Sequence, residues 1–183
     1  MKKLLLSTLM GVAVMTTVSN LSAQTTSSGG MSVTATIDPS ISLTFASDAS
    51  GLALSSGAGT STATMALGHI AAYGYTPPTG VTQVVNGAGT AATAFSVATP
   101  FDVLVMEANT SSASYTLTAA LNSADTTNTW KIDGTTVTNG SPISVTTTGT
   151  YDAAHSHTLL ISIPFTNVAG TISNAINFVA TAN

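Results

Sequence analysis

Apolar and polar residues alternate one for one at both ends of the chain. From Thr171 to Asn183, Ile172, Asn174, Ile176, Phe178, Ala180 and Ala182 fall on one face. Near the start Met31, Val33, Ala35 and Ile37 do the same, separated by Ser32, Thr34 and Thr36. Successive side chains of a strand point to opposite faces, so period-2 alternation predicts strands that bury one face. The pattern recurs in Ile41-Ser42-Leu43-Thr44-Phe45, in Phe101, Val103 and Val105, in Tyr115, Leu117, Ala119 and Leu121, and in Leu159, Ile161, Ile163 and Phe165. Trp130-Lys131-Ile132-Asp133-Gly134-Thr135-Thr136-Val137 sets Asp-Gly between β-forming residues, the strongest hairpin signal in the chain. Asn139-Gly140-Ser141-Pro142 predicts the next turn, and Ile143 with Val145 opens another short strand. Pro39 removes a ladder donor and ends the strand over Met31–Ile37.

Beyond residue 23 no stretch carries a helical period. Short strands cut by Gly, Pro, Asn and Asp turns predict an all-β protein, an antiparallel sandwich or barrel in one domain. Residues 49–98, rich in Ala, Gly, Ser and Thr, read as elaborated strands and loops of that domain. Within them Met65 and Leu67 form a short apolar stretch, and Tyr73-Gly74-Tyr75-Thr76-Pro77-Pro78 predicts a rigid turn.

The first residues follow a different rule. Lys2 and Lys3 precede an apolar run from Leu4 to about Val18, then Ser19-Asn20-Leu21-Ser22-Ala23. That order of charged, apolar and small residues predicts a secretory signal peptide over 1–23, cut after Ala23. The run is short for a membrane-spanning helix, and the mature form is expected to have no membrane span. Residues 24–38 then form an N-terminal extension, and 39–183 the sandwich. The expected route is through a periplasm to the cell surface or medium. That route permits disulfides, but the chain has no Cys.

Loss of the signal leaves Lys131 as the only Lys or Arg, against seven acidic residues. A basic patch for nucleic acid or anionic lipid is thereby excluded. Disorder is excluded as well, because disordered chains are charge-rich and poor in apolar residues, and this one is 44% hydrophobic. Its polar surface is instead built of Thr, Ser and Asn, and Thr suits a pleated surface. Trypsin would find a single cut site, after Lys131.

Candidate chemistry is sparse. Val81-Thr82-Gln83-Val84-Val85 followed by Asn86-Gly87-Ala88-Gly89-Thr90-Ala91-Ala92 matches a strand plus G-x-G-x-x-A, yet Ala94-Phe95-Ser96-Val97-Ala98-Thr99-Pro100 stands where a dinucleotide-binding helix would begin. A hairpin turn is the better reading. His155 and His157 share a strand face near Asp152, which suits a metal, but no third strong ligand is specified by spacing. Serines are plentiful without a nucleophile elbow, so no catalytic residue is assigned. Trp130 beside Lys131 has the makings of a sugar platform, though a core Trp next to a hairpin is favoured. Neither a cofactor nor a metal site is expected, and the chain reads as a non-enzyme. Strands at both termini are instead suited to pairing across molecules.

The run His157-Thr158-Leu159-Leu160-Ile161-Ser162-Ile163-Pro164-Phe165-Thr166-Asn167-Val168-Ala169-Gly170-Thr171-Ile172, with the alternating close of the chain, resembles the end of chaperone–usher pilin subunits and their spore-coat-U-like relatives. The alternating Thr/Ala/Val arm, the Pro, and Ile41-Ser42-Leu43-Thr44 resemble their start. The resemblance implies an immunoglobulin-like sandwich that lacks its last strand and is completed by the N-terminal arm of another subunit. It makes Met31, Val33, Ala35 and Ile37 the donor face, and Ile172, Ile176 and Phe178 part of the acceptor groove. The implied partners are copies of the chain or related pilin subunits, with a periplasmic chaperone and usher, in a fimbrium. The alternative is a self-contained surface sandwich, an adhesin or carbohydrate-binding module, whose first strand folds back into its own sheet.

Overall fold

A computed structural model describes residues 28–183; the expected signal peptide over 1–23 and residues 24–27 lie outside them. The chain divides into two units between Thr36 and Ile37. In the first unit, residues 28–36 form neither strand nor helix and every residue is exposed. The strand expected over Met31–Ile37 is therefore not formed. A strand needs a neighbour for its backbone N–H and C=O groups, and among the described residues none is hydrogen-bonded to this segment.

The second unit is an antiparallel β-sandwich. Its strands are β1 (Ser40–Ala46), β2 (Thr82–Asn86), β3 (Ala94–Ala108), β4 (Tyr115–Leu121), β5 (Thr129–Ile132), β6 (Thr135–Val137), β7 (Ile143–Gly149), β8 (Ala154–Pro164) and β9 (Ile176–Ala182). One sheet runs β1-β3-β8-β5-β6, with β2 also on β3, and the other runs β7-β4-β9. Among the described residues there is no α-helix, only a 3-10 turn at Gly89–Ala91.

The long strand β3 organises the first sheet. One of its edges pairs with β8 from Ala94 to Leu104. The other edge is shared: β2 covers Ala94–Ala98 and β1 covers Asp102–Ala108. Strands β1 and β2 thus lie in line, like one edge strand interrupted opposite Thr99, Pro100 and Phe101. The 35 residues from Ser47 to Val81 leave and return at that break. There Leu52 N–H donates to Thr99 Oγ1 at 2.8 Å. Gly51 lies so close to Pro100 that a Cβ would overlap its carbonyl oxygen.

Alternation fixes the core. Phe95, Val97, Phe101, Val103 and Val105 of β3 are buried against Tyr115, Leu117, Ala119 and Leu121 of β4, with Trp130, Ile132, Ile161 and Ile163 from β5 and β8. Side chains of this size stabilise by about 1.5–3 kcal/mol each when fully buried, which replaces the missing disulfides. Gly149 lies against the ring of the fully buried Tyr115, where a Cβ would overlap the ring carbons. The Asp-Gly hairpin forms as expected, with φ of 50° at Asp133 and 80° at Gly134 joining β5 to β6. Both central residues need positive φ in such a turn.

Two strand boundaries differ from the sequence pattern. The terminal strand begins at Ile176, not Thr171, although residues 171–175 still alternate in burial. Asn174 explains the late start: its side chain donates to Ser123 O at 2.9 Å and accepts from its neighbour Ala175 N–H at 2.9 Å, which anchors a corner. Phe165 falls just past β8 and is 39% exposed, near Tyr73 and Phe95.

Candidate functional site

The candidate donor residues carry their apolar side chains in solvent. Met31 is 87%, Val33 79% and Ile37 73% exposed, and Ala35 is exposed too. Apolar side chains set at strand spacing and left in water are an unfilled hydrophobic opportunity.

Strand β9 is an edge strand, paired with β4 on one side only. Ala175 O accepts from Asn122 N–H at 2.8 Å, and Asn183 N–H donates to Ser114 O at 3.0 Å. Antiparallel pairing repeats every two residues, so Asn177, Val179 and Thr181 turn their backbone groups to β4. Ile176, Phe178 and Ala180 turn theirs outward. The side chains of these three point inward yet are only half buried, and Phe178 packs against both halves of the core. Ile172 also packs half-buried on the core, ahead of the strand.

Strand β1 faces this edge from the other sheet. Ile41, Leu43 and Phe45 pack half-buried on the same core as Phe178 and Ala180. The Phe45 ring meets that of Phe178 edge-on, centroids 5.3 Å apart, and Phe101 lies 5.8 Å from Phe178. The outward N–H and C=O of Phe45 are occupied by Thr60 O at 3.0 Å and Gly59 N at 2.7 Å. By the same two-residue rule Ile41 and Leu43 also turn their backbone groups outward. Cα atoms of β1 and β9 come within 8 Å of each other. A strand bonded to both edges needs two ladder spacings, about 9.6 Å, so the edges must part to admit one.

Of the predicted acceptor residues, the structure brings Ile172, Ile176 and Phe178 onto one side of the core. Sequence reasoning did not include Ile41, Leu43 and Phe45 in that site, although their alternation was visible; which edge they would occupy was not.

The other candidates have local explanations. Gly87 and Gly89 turn the β2–β3 hairpin, with Asn86 opposite Ala94. His155 Nε2 lies 3.0 Å from Thr150 Oγ1, whereas His157 Nδ1 lies 2.7 Å from Asp133 Oδ2, so the two imidazoles serve different partners. Among the described residues no three His, Cys, Asp or Glu side chains gather in a metal-binding group. Trp130 is 6% exposed and offers no platform for a sugar.

Polar hollows of about 340 and 290 Å³ flank the 122–128 loop and share Asp125, Thr127 and Asn128. Asp125 had no role in the sequence pattern. Its carboxylate accepts from Thr127 N–H at 2.9 Å, Asn128 N–H at 2.8 Å, Asn128 Nδ2 at 3.0 Å and Trp130 Nε1 at 2.7 Å. Desolvation pushes its pKa up, but the bonds from Asn128, Trp130 and Thr127 together outweigh it and hold the group at about 2. The hollow is thus shaped by a carboxylate already satisfied within its own chain.

A test follows for this pin. Asp125→Ala leaves the buried indole N–H unpaired and should cost about 1–3 kcal/mol at neutral pH. A depressed folded pKa gives stability that is full above the unfolded value of about 3.9 and fades as pH falls toward 2. Thermal melts should therefore show the gap between wild type and variant narrowing from pH 4 to pH 2. A gap that stays constant would remove the carboxylate from the account.

Comparison with protein-family models, with curated proteins and with solved structures finds no match for this chain. Among the described residues no helix is long and apolar enough to cross a membrane.

Proposed function

We propose that the chain is a structural subunit of an exported, cell-surface fibre, joined by donation of residues 31–37 to the open side of another subunit. One observation carries this reading. An arm with strand-spaced apolar residues in solvent accompanies a sandwich whose last strand is an unpaired edge with half-buried inward side chains. An incoming strand gains ladder hydrogen bonds from outward backbone groups and apolar burial from its alternate residues. Met31, Val33, Ala35 and Ile37 would supply the burial; Ile172, Ile176 and Phe178, with Ile41 and Leu43, would receive it. The resemblance to the pilin and spore-coat-U-like families supports the same reading. It adds the immunoglobulin-like description of the sandwich, and a chaperone and usher as export partners.

A second reading is a self-contained surface module, an adhesin or carbohydrate-binding sandwich. Its support is that β1 already approaches β9 and that residues of the 47–81 segment already pack on the core. Electron microscopy of material sheared from exporting cells, with mass-spectrometric identification, separates the two. The fibre reading expects filaments containing this chain. Recovery only as a monomer favours the module.

A further inference from the structure

Residues 65–72 are the most unusual part of the open side. They lie between β1 and β2 in sequence but belong to no strand. Even so, Met65 packs on the core half that holds Phe45, Phe178 and Ala180, and Leu67, Ile70 and Ala72 pack on the half that holds Ile172 and Ile176. The outer residues between them, Ala66, Gly68 and His69, are exposed. The segment thus runs from one core half to the other with its apolar side chains turned in.

Its route is fixed by its ends. Upstream, Gly59 and Thr60 bond the outward groups of Phe45. Downstream, Gln83 Nε2 of β2 donates to Ala71 O at 2.7 Å. The segment therefore follows the β1–β2 edge, the same side on which β9 is unpaired. Its backbone makes no ladder there: among the described residues no backbone–backbone hydrogen bond involves residues 65–72. It covers the side by packing its side chains, without forming a ladder.

We propose that residues 65–72 are a built-in placeholder for the donated strand, covering the acceptor side in the free subunit and released when an arm enters. The proposal rests on the reading of residues 31–37 as a donor. The apolar contents of the two segments are nearly the same, Met, Leu, Ile and Ala in one and Met, Val, Ala and Ile in the other. Burial therefore hardly distinguishes them. What distinguishes them is the ladder: a regularly alternating arm can pair its backbone with the outward groups of β9, and the placeholder does not. The placeholder has the advantage of being tethered, which gives it a high effective concentration against an arm from another molecule. Exchange is then favourable but slow at low subunit concentration, and exposed core is covered until a neighbour arrives.

The test uses the full chain carrying Val33→Asp, so that its own arm does not compete, and a synthetic peptide of residues 28–38 as the probe. Three quantities are read: the association rate of labelled peptide, amide deuterium exchange over residues 176–180, and the rate at which dilute peroxide oxidises the half-buried Met65 thioether. The expected result is slow peptide uptake that protects 176–180 and speeds Met65 oxidation severalfold. Adding Met65→Ser or Leu67→Ser should speed uptake at least tenfold. The exchange and oxidation readouts need neither of these variants, so poor folding of one leaves the question decidable. Peptide uptake that protects 176–180 without changing the rate of Met65 oxidation overturns the placeholder and leaves strand donation standing. No peptide binding to any of the proteins overturns both.

Discussion

A chain carrying Val33→Asp or Ile37→Asp is expected to be exported and to fold as well as wild type, yet to form no fibres. Val33 and Ile37 are among the most exposed large apolar residues of those described, so the subunit itself loses almost nothing. Exposed substitutions of this kind usually stay within about 0.5 kcal/mol, so the melting temperature should hardly move. In a neighbour's core the same carboxylate is unpaired and desolvated, which costs several kcal/mol or forces its protonation. At about 1.4 kcal/mol per tenfold, a cost near 4 kcal/mol lowers junction affinity by roughly three orders of magnitude. Light scattering and microscopy beside thermal melts check this. A variant that unfolds, with wild type monomeric throughout, would place the arm inside its own subunit's core.

Phe178→Ala is expected to do both kinds of damage. Phe178 contacts both core halves and the rings of Phe45 and Phe101. It is half-buried, so the loss should fall near the lower end of the range for large-to-small changes, about 2–3 kcal/mol. For a domain of this size that lowers Tm by roughly 5–10 °C. The same truncation removes the central inward side chain of β9, so fibres should be lost even at temperatures where the variant is fully folded. Thermal melts and assembly assays at 10 °C separate the two effects. Normal assembly by the folded variant would mean that β9 does not receive the arm.

Much of the fold was written in local pattern. The strands at Phe101–Val105, Tyr115–Leu121 and Ile143–Val145 follow from period-2 alternation, and the Asp133-Gly134 hairpin from the need for positive φ at both positions. What remained hidden depends on contacts far apart in sequence. Nothing local says that β1 and β2 share one edge of β3, because that follows from a 35-residue excursion returning beside Thr99. Nothing local marks Asp125 as the partner of the Trp130 indole. The arm shows the converse: its alternation is that of a strand, but alternation specifies only which face would be buried, and a strand forms only where an edge is available. The candidate site was half legible for the same reason. Ile172, Ile176 and Phe178 could be read from the terminal alternation, whereas the β1 face and the Met65–Ala72 cover required the topology.

The chain's lack of cysteine makes a direct measurement of donation straightforward. Paired substitutions, Ala180→Cys with Met31→Cys, Val33→Cys or Ala35→Cys, introduce two thiols that can join only where the arm lies beside β9. A disulfide requires Cα atoms about 4.4–6.8 Å apart, so at least one pair in this register series should be within reach. Mild oxidation of assembled material, followed by denaturing electrophoresis without reductant, should give a ladder of covalent multimers for that pair that collapses on reduction. A single monomer band carrying an internal disulfide, with no ladder for any pair, would show that the arm completes its own subunit and would contradict strand donation between molecules.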